Sequence, residues 1–296
     1  MNRTINVFFL LGFFASCNNP SKGDVDSPTK IADNTPPLIN YSVVRTLPHD
    51  TSAFTEGFLI HDGRLYESTG TTPDMPEDRR SLFGPLDTVT GKISPKAELD
   101  RKKFFGEGIV FLKDKIYQLT WKTKIGFIYD AKTFKRIGEF TFPASEGWGM
   151  TTDGAHLIMS DGSSNIYILD PENIQPIKVS ITYEDSSSEE KSLNTFRLVK
   201  ILGVSDNNGP NNNINELELI HGFLYANQWE TNYILKIDTA SGKVVGKLDL
   251  ESIANDAKTK FAGLGEMNGI AYDPGNGKIF ITGKLWKNIY EIQFAH

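Results

Sequence analysis

Short apolar runs, each reversed by a turn built on Gly or Asp, recur along the chain from residue 40 to the C-terminus. The stretch "TEGFLIHDGRLYESTG" (55–70) sets the pattern. It returns in "GEGIVFLKDKIYQLTW" (106–121), "GWGMTTDGAHLIMSDG" (147–162), "INELELIHGFLYANQW" (214–229) and, with extra turn residues, "MNGIAYDPGNGKIFITGKLW" (267–286). Asp62-Gly63 and Asp153-Gly154 are strong two-residue hairpin signals, and Pro274 to Gly277 is a looser one. Each hairpin is followed by a second strand–turn–strand unit: "LFGPLDTVTGKI" (82–93), "GFIYDAKTFKRI" (126–137), "IYILDPENIQPI" (166–177) and "YILKIDTASGKVVGKL" (233–248). Two hairpins make a four-stranded antiparallel sheet. The repeat interval is that of a propeller blade. The fifth repeat stops after "NIYEIQF" without a fourth strand, and the β-branched run "NYSVVRTL" (40–47) can fill that place. Joining the two termini in this way removes the exposed sheet edges of an open array. The pattern predicts an all-β, five-bladed β-propeller closed by an N-terminal strand, with one short helix near Leu250 to Lys258. Separate β-sandwich domains are the alternative.

In such a blade the first hairpin lies nearest the axis and both its ends emerge on one face. Reflection through the turns sets Glu107 beside Trp121 and Asn215 beside Trp229. The residues before the repeat glycine or its equivalent are Glu56, Glu107, Trp148, Asn215 and Asn268, and those ending the second strand are Gly70, Trp121, Gly162, Trp229 and Lys284. All four Trp, including Trp286, fall at or near these mouths. An aromatic-walled mouth holding carboxyl, amide and ammonium groups has the makeup of a small-ligand site. Packing between blades is the competing use of the same rings.

Charge and composition narrow the chemistry. A net charge of -6 over 296 residues, with no basic block, leaves no footprint for nucleic acid. His49, His61, His156, His221 and His296 have no ligand-like spacing, so a zinc site built on them is not expected. No serine lies in a nucleophile-elbow motif. General acid/base work by Glu107 remains, with burial among Trp rings raising its pKa toward neutrality.

The N-terminus "MNRTINVFFLLGFFASCNNP" has the layout of a signal peptide (1–16), too short to span a membrane. Its small-small-Cys ending resembles a bacterial lipobox, which would make Cys17, the only cysteine, the lipidated first residue of the mature chain. A plain signal peptide with an incidental Cys is the alternative. Residues 17–39, rich in Asn, Pro, Ser and Asp, read as a tether, and 40–296 as the catalytic domain. The expected location is the cell envelope, as an exported lipoprotein that meets the membrane only through its anchor.

Taken in order, "FTEGFL", "FGEG", "EGWGMTTDG", "NELEL", "GKVVGKLDL" and "MNGIAYD" with "TGKLW" resemble the plant-type and bacterial glutaminyl-peptide cyclotransferases over nearly all of residues 40–293. The resemblance implies a five-bladed propeller that converts the N-terminal Gln of peptides or proteins to pyroglutamate with loss of ammonia; the chain is expected to act as a monomer. It is unrelated to the zinc-dependent animal enzymes. It puts the essential glutamate at Glu107, the aromatic pocket at Phe54, Phe105, Trp121, Trp148 and Trp229, the site asparagine at Asn215 and the lysine at Lys284. Glu56 stands where the plant enzymes usually carry Gln; it would pair with Lys284 or raise the pKa of Glu107 by repulsion. No cofactor is implied for catalysis. A structural calcium ion has been seen in the central channel of family members, and no Asp/Asn cluster here places one. Two other readings compete: a non-catalytic propeller lipoprotein binding peptide termini or glycans, and a metal-dependent lactonase-like propeller, for which no metal triad is found. The polar stretches "YEDSSSEEKSLNTF" and "SDNNGPNNN" are expected on the rim before Asn215, with a tolerated loop of no function as the favoured reading.

Overall fold

The structure is a computed structural model and describes residues 35–296. The predicted signal peptide, Cys17 and most of the tether lie outside the described residues. All five expected first hairpins form: Thr55–His61 with Arg64–Thr69, Gly106–Leu112 with Lys115–Thr120, Met150–Thr152 with Leu157–Ser160, Ile214–Ile220 with Phe223–Gln228, and Met267–Asp273 with Lys278–Gly283. Their turns follow from local chemistry. Asp62-Gly63 and His221-Gly222 both place two consecutive residues at positive φ, the left-handed pair whose twist matches that of the flanking strands.

Two more strands extend each hairpin into a four-strand run whose first strand stays at the sheet edge. In the last run, Asn288–Phe294 is followed by Tyr41–Pro48, paired antiparallel from Tyr41↔Phe294 to Pro48↔Asn288. The predicted use of the N-terminal strand therefore holds. The second and third runs are not separate sheets: a short parallel pairing, Asn194↔Phe140 and Thr195↔Thr141, joins them into one of eight strands. The one helix among the described residues, Glu251–Lys260, buries Ile253 and Ala257.

Apolar side chains fill the spaces between consecutive runs. Leu119, Phe140 and Met159 lie between the second and third, and Leu217, Leu235 and Ile166 between the third and fourth. Phe58, Leu65 and Leu86 of the first run pack with Ala271, Phe280 and Ile289 of the last, so the end of the chain closes on its beginning. Burial of this kind contributes roughly 25 cal/mol per Å² of apolar surface, which suits a fold with no disulfide to constrain it.

Towards the centre, first strands meet backbone to backbone. A Cβ on Gly57 would lie 2.9 Å from the Ile109 nitrogen, one on Gly108 2.6 Å from the Met150 nitrogen, and one on Gly149 2.2 Å from the Asn215 oxygen. Only glycine permits that approach. Glu216, 2% exposed, spans the middle: its carboxyl accepts the backbone N–H of Ile270 at 2.8 Å and of Phe58 at 3.4 Å.

Five expectations are corrected. The turn predicted at Asp170–Asn173 is a bulge inside the long strand Asn165–Thr182: Asp170 accepts the Glu172 N–H, but Ile174 resumes pairing opposite Phe196. "YEDSSSEEKSLNTF" is accordingly not an irregular loop; it is the tip of this ribbon and the start of its return strand, Ser188–Gly203, and the tip lies near the lining residue Phe105, with the Glu184 N–H donated to the Lys103 carbonyl at 3.3 Å. In the first run, residues 86–93 make only a tight turn, with Leu86 bridged to Ile93, and the outer strand is Ala97–Glu98. Finally, Trp286 is core, 1% exposed, its indole N–H donated to the Gly265 carbonyl at 3.0 Å. At the other end of the described chain, Ile39, assigned by composition to the tether, donates its N–H to the Lys247 carbonyl.

Candidate active site

A cleft of about 720 Å³, counting its open mouth, lies at the end of the first strands. Glu56, Glu107 and Asn215 line it from the beginning of three of those strands. Backbone irregularity aims them: strand register slips between Thr55 and Gly57, between Gly106 and Ile109, and between Ile214 and Leu217. Each slip is a bulge that spends one or two unpaired residues to turn a side chain off the alternating pattern. The slip also corrects the simple reflection of Glu107 onto Trp121: Glu107 has no ladder partner, and Trp121 donates its N–H to the Phe105 carbonyl at 3.1 Å.

The walls are aromatic and form two arcs. Phe54 meets Phe105 edge-on at 6.1 Å, and Phe105 meets Trp121 at 5.6 Å. Across the cleft, Trp148 and Trp229 stand perpendicular at 5.6 Å. Edge-to-face geometry of this sort is the favoured one for quadrupolar rings. The glycines predicted at the mouth make room for the walls: a Cβ on Gly70 would fall 2.1 Å from the Phe105 ring, and one on Gly162, at φ +79°, 2.5 Å from the Trp148 ring. Lys284 completes the lining, with its ammonium 2.8 Å from Glu56 Oε1 and 4.6 Å from the centre of the Phe54 ring. All nine pocket residues expected from the sequence thus line one cleft. Asn268 lies beneath it and donates from Nδ2 to Glu56 Oε2 at 3.1 Å.

The polar floor is deeply buried: Glu56, Glu107 and Lys284 expose only a few per cent of their surface. Glu107 is 4% exposed, and its carboxyl accepts no protein hydrogen bond among the described residues. Burial raises its pKa well above the ordinary glutamate value; the charge of Glu56 adds to that, Lys284 opposes it, and Glu146 and Glu184 add further. Burial pushes the Glu56 carboxyl up to about 7 against the pull of Lys284. Lys284 resists its own desolvation because Glu56 and Glu107 hold its proton, and its pKa is raised. Two carboxyls and one ammonium therefore share the floor, an arrangement that can accept and return a proton near neutrality. Asn215 Oδ1 is buried and has no partner among the described residues, so it is a free acceptor for a ligand.

Sequence reasoning missed Thr72, Met75, Glu266 and Glu146. The first three line the cleft. Glu146 lies behind the rings, where its Oε2 accepts the indole N–H of Trp121 at 2.7 Å and of Trp148 at 2.9 Å. Thr72 and Met75 sit in an unpatterned loop that carried no signal. Glu146 stood two residues before Trp148 in the quoted motif "EGWG".

Among the described residues no group of three or more His, Cys, Asp or Glu is arranged to hold a metal ion. A central calcium would need six to eight oxygens. The carboxylate that spans the centre, Glu216, is already engaged with two backbone N–H groups.

Comparison with known proteins adds three findings. The family model for glutamine cyclotransferase matches residues 18–200 and 192–294. A glutaminyl-peptide cyclotransferase of Arabidopsis thaliana is 32% identical over 253 residues, covering 85% of this chain and 70% of the relative. The crystal structure of Myxococcus xanthus glutaminyl cyclase superposes with a TM-score of 0.71 at 29% identity, covering 88% of this chain and 98% of that one.

Proposed function

Because the chain belongs to the glutamine cyclotransferase family, we propose that it converts the N-terminal Gln of peptides or proteins to pyroglutamate with release of ammonia. The observation that carries the reading is the buried, otherwise unpartnered Glu107 carboxyl at the base of an aromatic cleft. Cyclisation is intramolecular, so the protein's task is to hold the α-amine against the side-chain amide carbon and to move protons. The flat amide lies between the Trp arcs while the amine faces Glu107. As the amine nitrogen bonds to the amide carbon, Glu107 takes a proton from it. The carbonyl oxygen gains charge and is held by Lys284 or Asn215. Glu107 then returns the proton to the departing nitrogen, the carbon–nitrogen bond breaks, and ammonia leaves. The Glu56–Lys284 pair keeps the ammonium charged and pointed at the cleft.

We read the four-strand runs as the blades of a single five-bladed propeller. The cyclisation needs no metal in this scheme. Incubating the purified protein with a Gln-initiated peptide and a metal chelator should give loss of one ammonia from the peptide mass well above the spontaneous rate. No loss above that rate would favour a non-catalytic binder of peptide termini. We also read the chain as an exported lipoprotein acylated at Cys17. Fatty-acid labelling that persists in Cys17→Ser would remove that reading.

A further inference from the structure

The two aromatic arcs come from different strand runs and do not touch through their rings. Phe54, Phe105 and Trp121 belong to the first and second runs, Trp148 and Trp229 to the third and fourth. Backbone bonds from Gly147 to the Trp121 carbonyl and from Gly108 to the Trp148 carbonyl already join the two sides at 2.9 Å each; what ties the two indole side chains together is one oxygen. Glu146, on the connection between Arg136–Thr141 and Met150–Thr152, reaches between the arcs and accepts both indole N–H groups at Oε2. Charge-assisted hydrogen bonds of this length are about twice as strong as neutral ones, and two donors sharing an acceptor fix each other's direction. A half-buried indole otherwise turns its N–H to water and its ring with it. Trp148 is held from a second side by Gly162, whose missing Cβ leaves the ring its only space.

From this geometry we infer that Glu146 is a positioning residue: it sets the spacing of the two aromatic arcs, and with it the width of the slot that grips the substrate amide. The inference rests on the cyclase reading for its substrate and on the hydrogen bonds alone for its geometry. Glu146 touches neither the amine nor the amide in this scheme and takes no proton. Glutamine at 146 keeps a carbonyl oxygen that can accept both N–H groups, whereas alanine keeps none.

The test combines kinetics on a Gln-initiated peptide with the indole N–H resonances of the full-length protein. Glu146→Ala should raise KM roughly tenfold and lower kcat/KM by about ten- to a hundred-fold, the usual result of misplacing a bound group. It should shift the Trp121 and Trp148 indole signals and leave that of Trp286, bonded to the Gly265 carbonyl, where it was. Glu146→Gln should recover most of the lost affinity and both signals. If the alanine variant does not fold, Glu146→Asp, which keeps the charge but shortens the reach, should show the same two effects. Unmoved Trp121 and Trp148 signals, or a KM within about twofold of wild type, would overturn the inference. Wild-type protein that releases no ammonia would instead overturn the proposed function, leaving the indole signals to decide the geometry.

Discussion

Glu107→Gln should abolish most ammonia release, lowering kcat/KM by roughly a thousand-fold, while the protein stays folded. Glutamine fills the same volume, and the buried carboxyl it replaces accepts no hydrogen bond among the described residues, so no described partner is orphaned. The pH dependence carries its own sign. In the wild type the pKa of Glu107 is raised, chiefly by burial and then by Glu56, so the carboxylate base is present only above that raised value. The acid limb of the rate profile therefore lies well above the ordinary glutamate range. Stability runs the other way. A carboxyl whose folded pKa exceeds its unfolded one costs stability as pH rises from the unfolded value through the folded one. That slope should shrink in the variant, and urea unfolding at mildly acid and mildly alkaline pH will show it. Activity within about tenfold of wild type would take Glu107 out of the proton transfers.

Lys284→Met should be the most destabilising change in the cleft. It keeps the length of the side chain and removes the charge that pairs with Glu56 at 2.8 Å, where both partners are almost wholly buried. Breaking such a pair by removing one member costs about 3–5 kcal/mol, because the remaining charge has neither water nor a partner. Glu56 has an escape, which sets the pH dependence: it can take up a proton. The loss should thus be largest at alkaline pH, where Glu56 must ionise, and smaller at acid pH, where it stays neutral. Lys284 also holds the pKa of Glu107 down, so the acid limb of any remaining activity should move to higher pH. An equal loss of stability at both ends of the range would mean that Glu56 is not the group left behind. Double substitution with Glu56→Gln should recover much of the stability without recovering the rate.

Much of this was legible in the sequence because it rests on short-range chemistry. Asp62-Gly63 announces its hairpin by the left-handed backbone it tolerates. A repeated position, once the period is seen, carries its neighbours with it: Glu56, Glu107 and Asn215 were found by alignment of repeats alone. The same alignment could not see the bulges that aim these residues, since a bulge is set by where ladder bonds fail. Asp170 misled for a related reason. Its turn chemistry is present and forms, yet Ile174–Thr182 finds more strand partners by running on than by reversing. Glu146 was missed because its role depends on two indoles twenty-seven residues apart converging on it, which no local pattern records. Trp286 was placed at the mouth by its position in the repeat; Gly283 lets it fold inward instead, since a Cβ there would meet the ring at 2.3 Å.

The glycine contacts and the Glu216 carboxyl near the centre have one more implication. A second hollow opens at the far end of the first strands, lined by Leu59, Val110, Met150 and Glu218, and it shares no residue with the cleft that holds Glu107. The cleft is a cup rather than a tunnel. On the cyclase reading, a substrate does not thread through it but presents its chain end from the one open mouth. Whatever enters leaves by the same door, and the next chain end must wait for the last to withdraw.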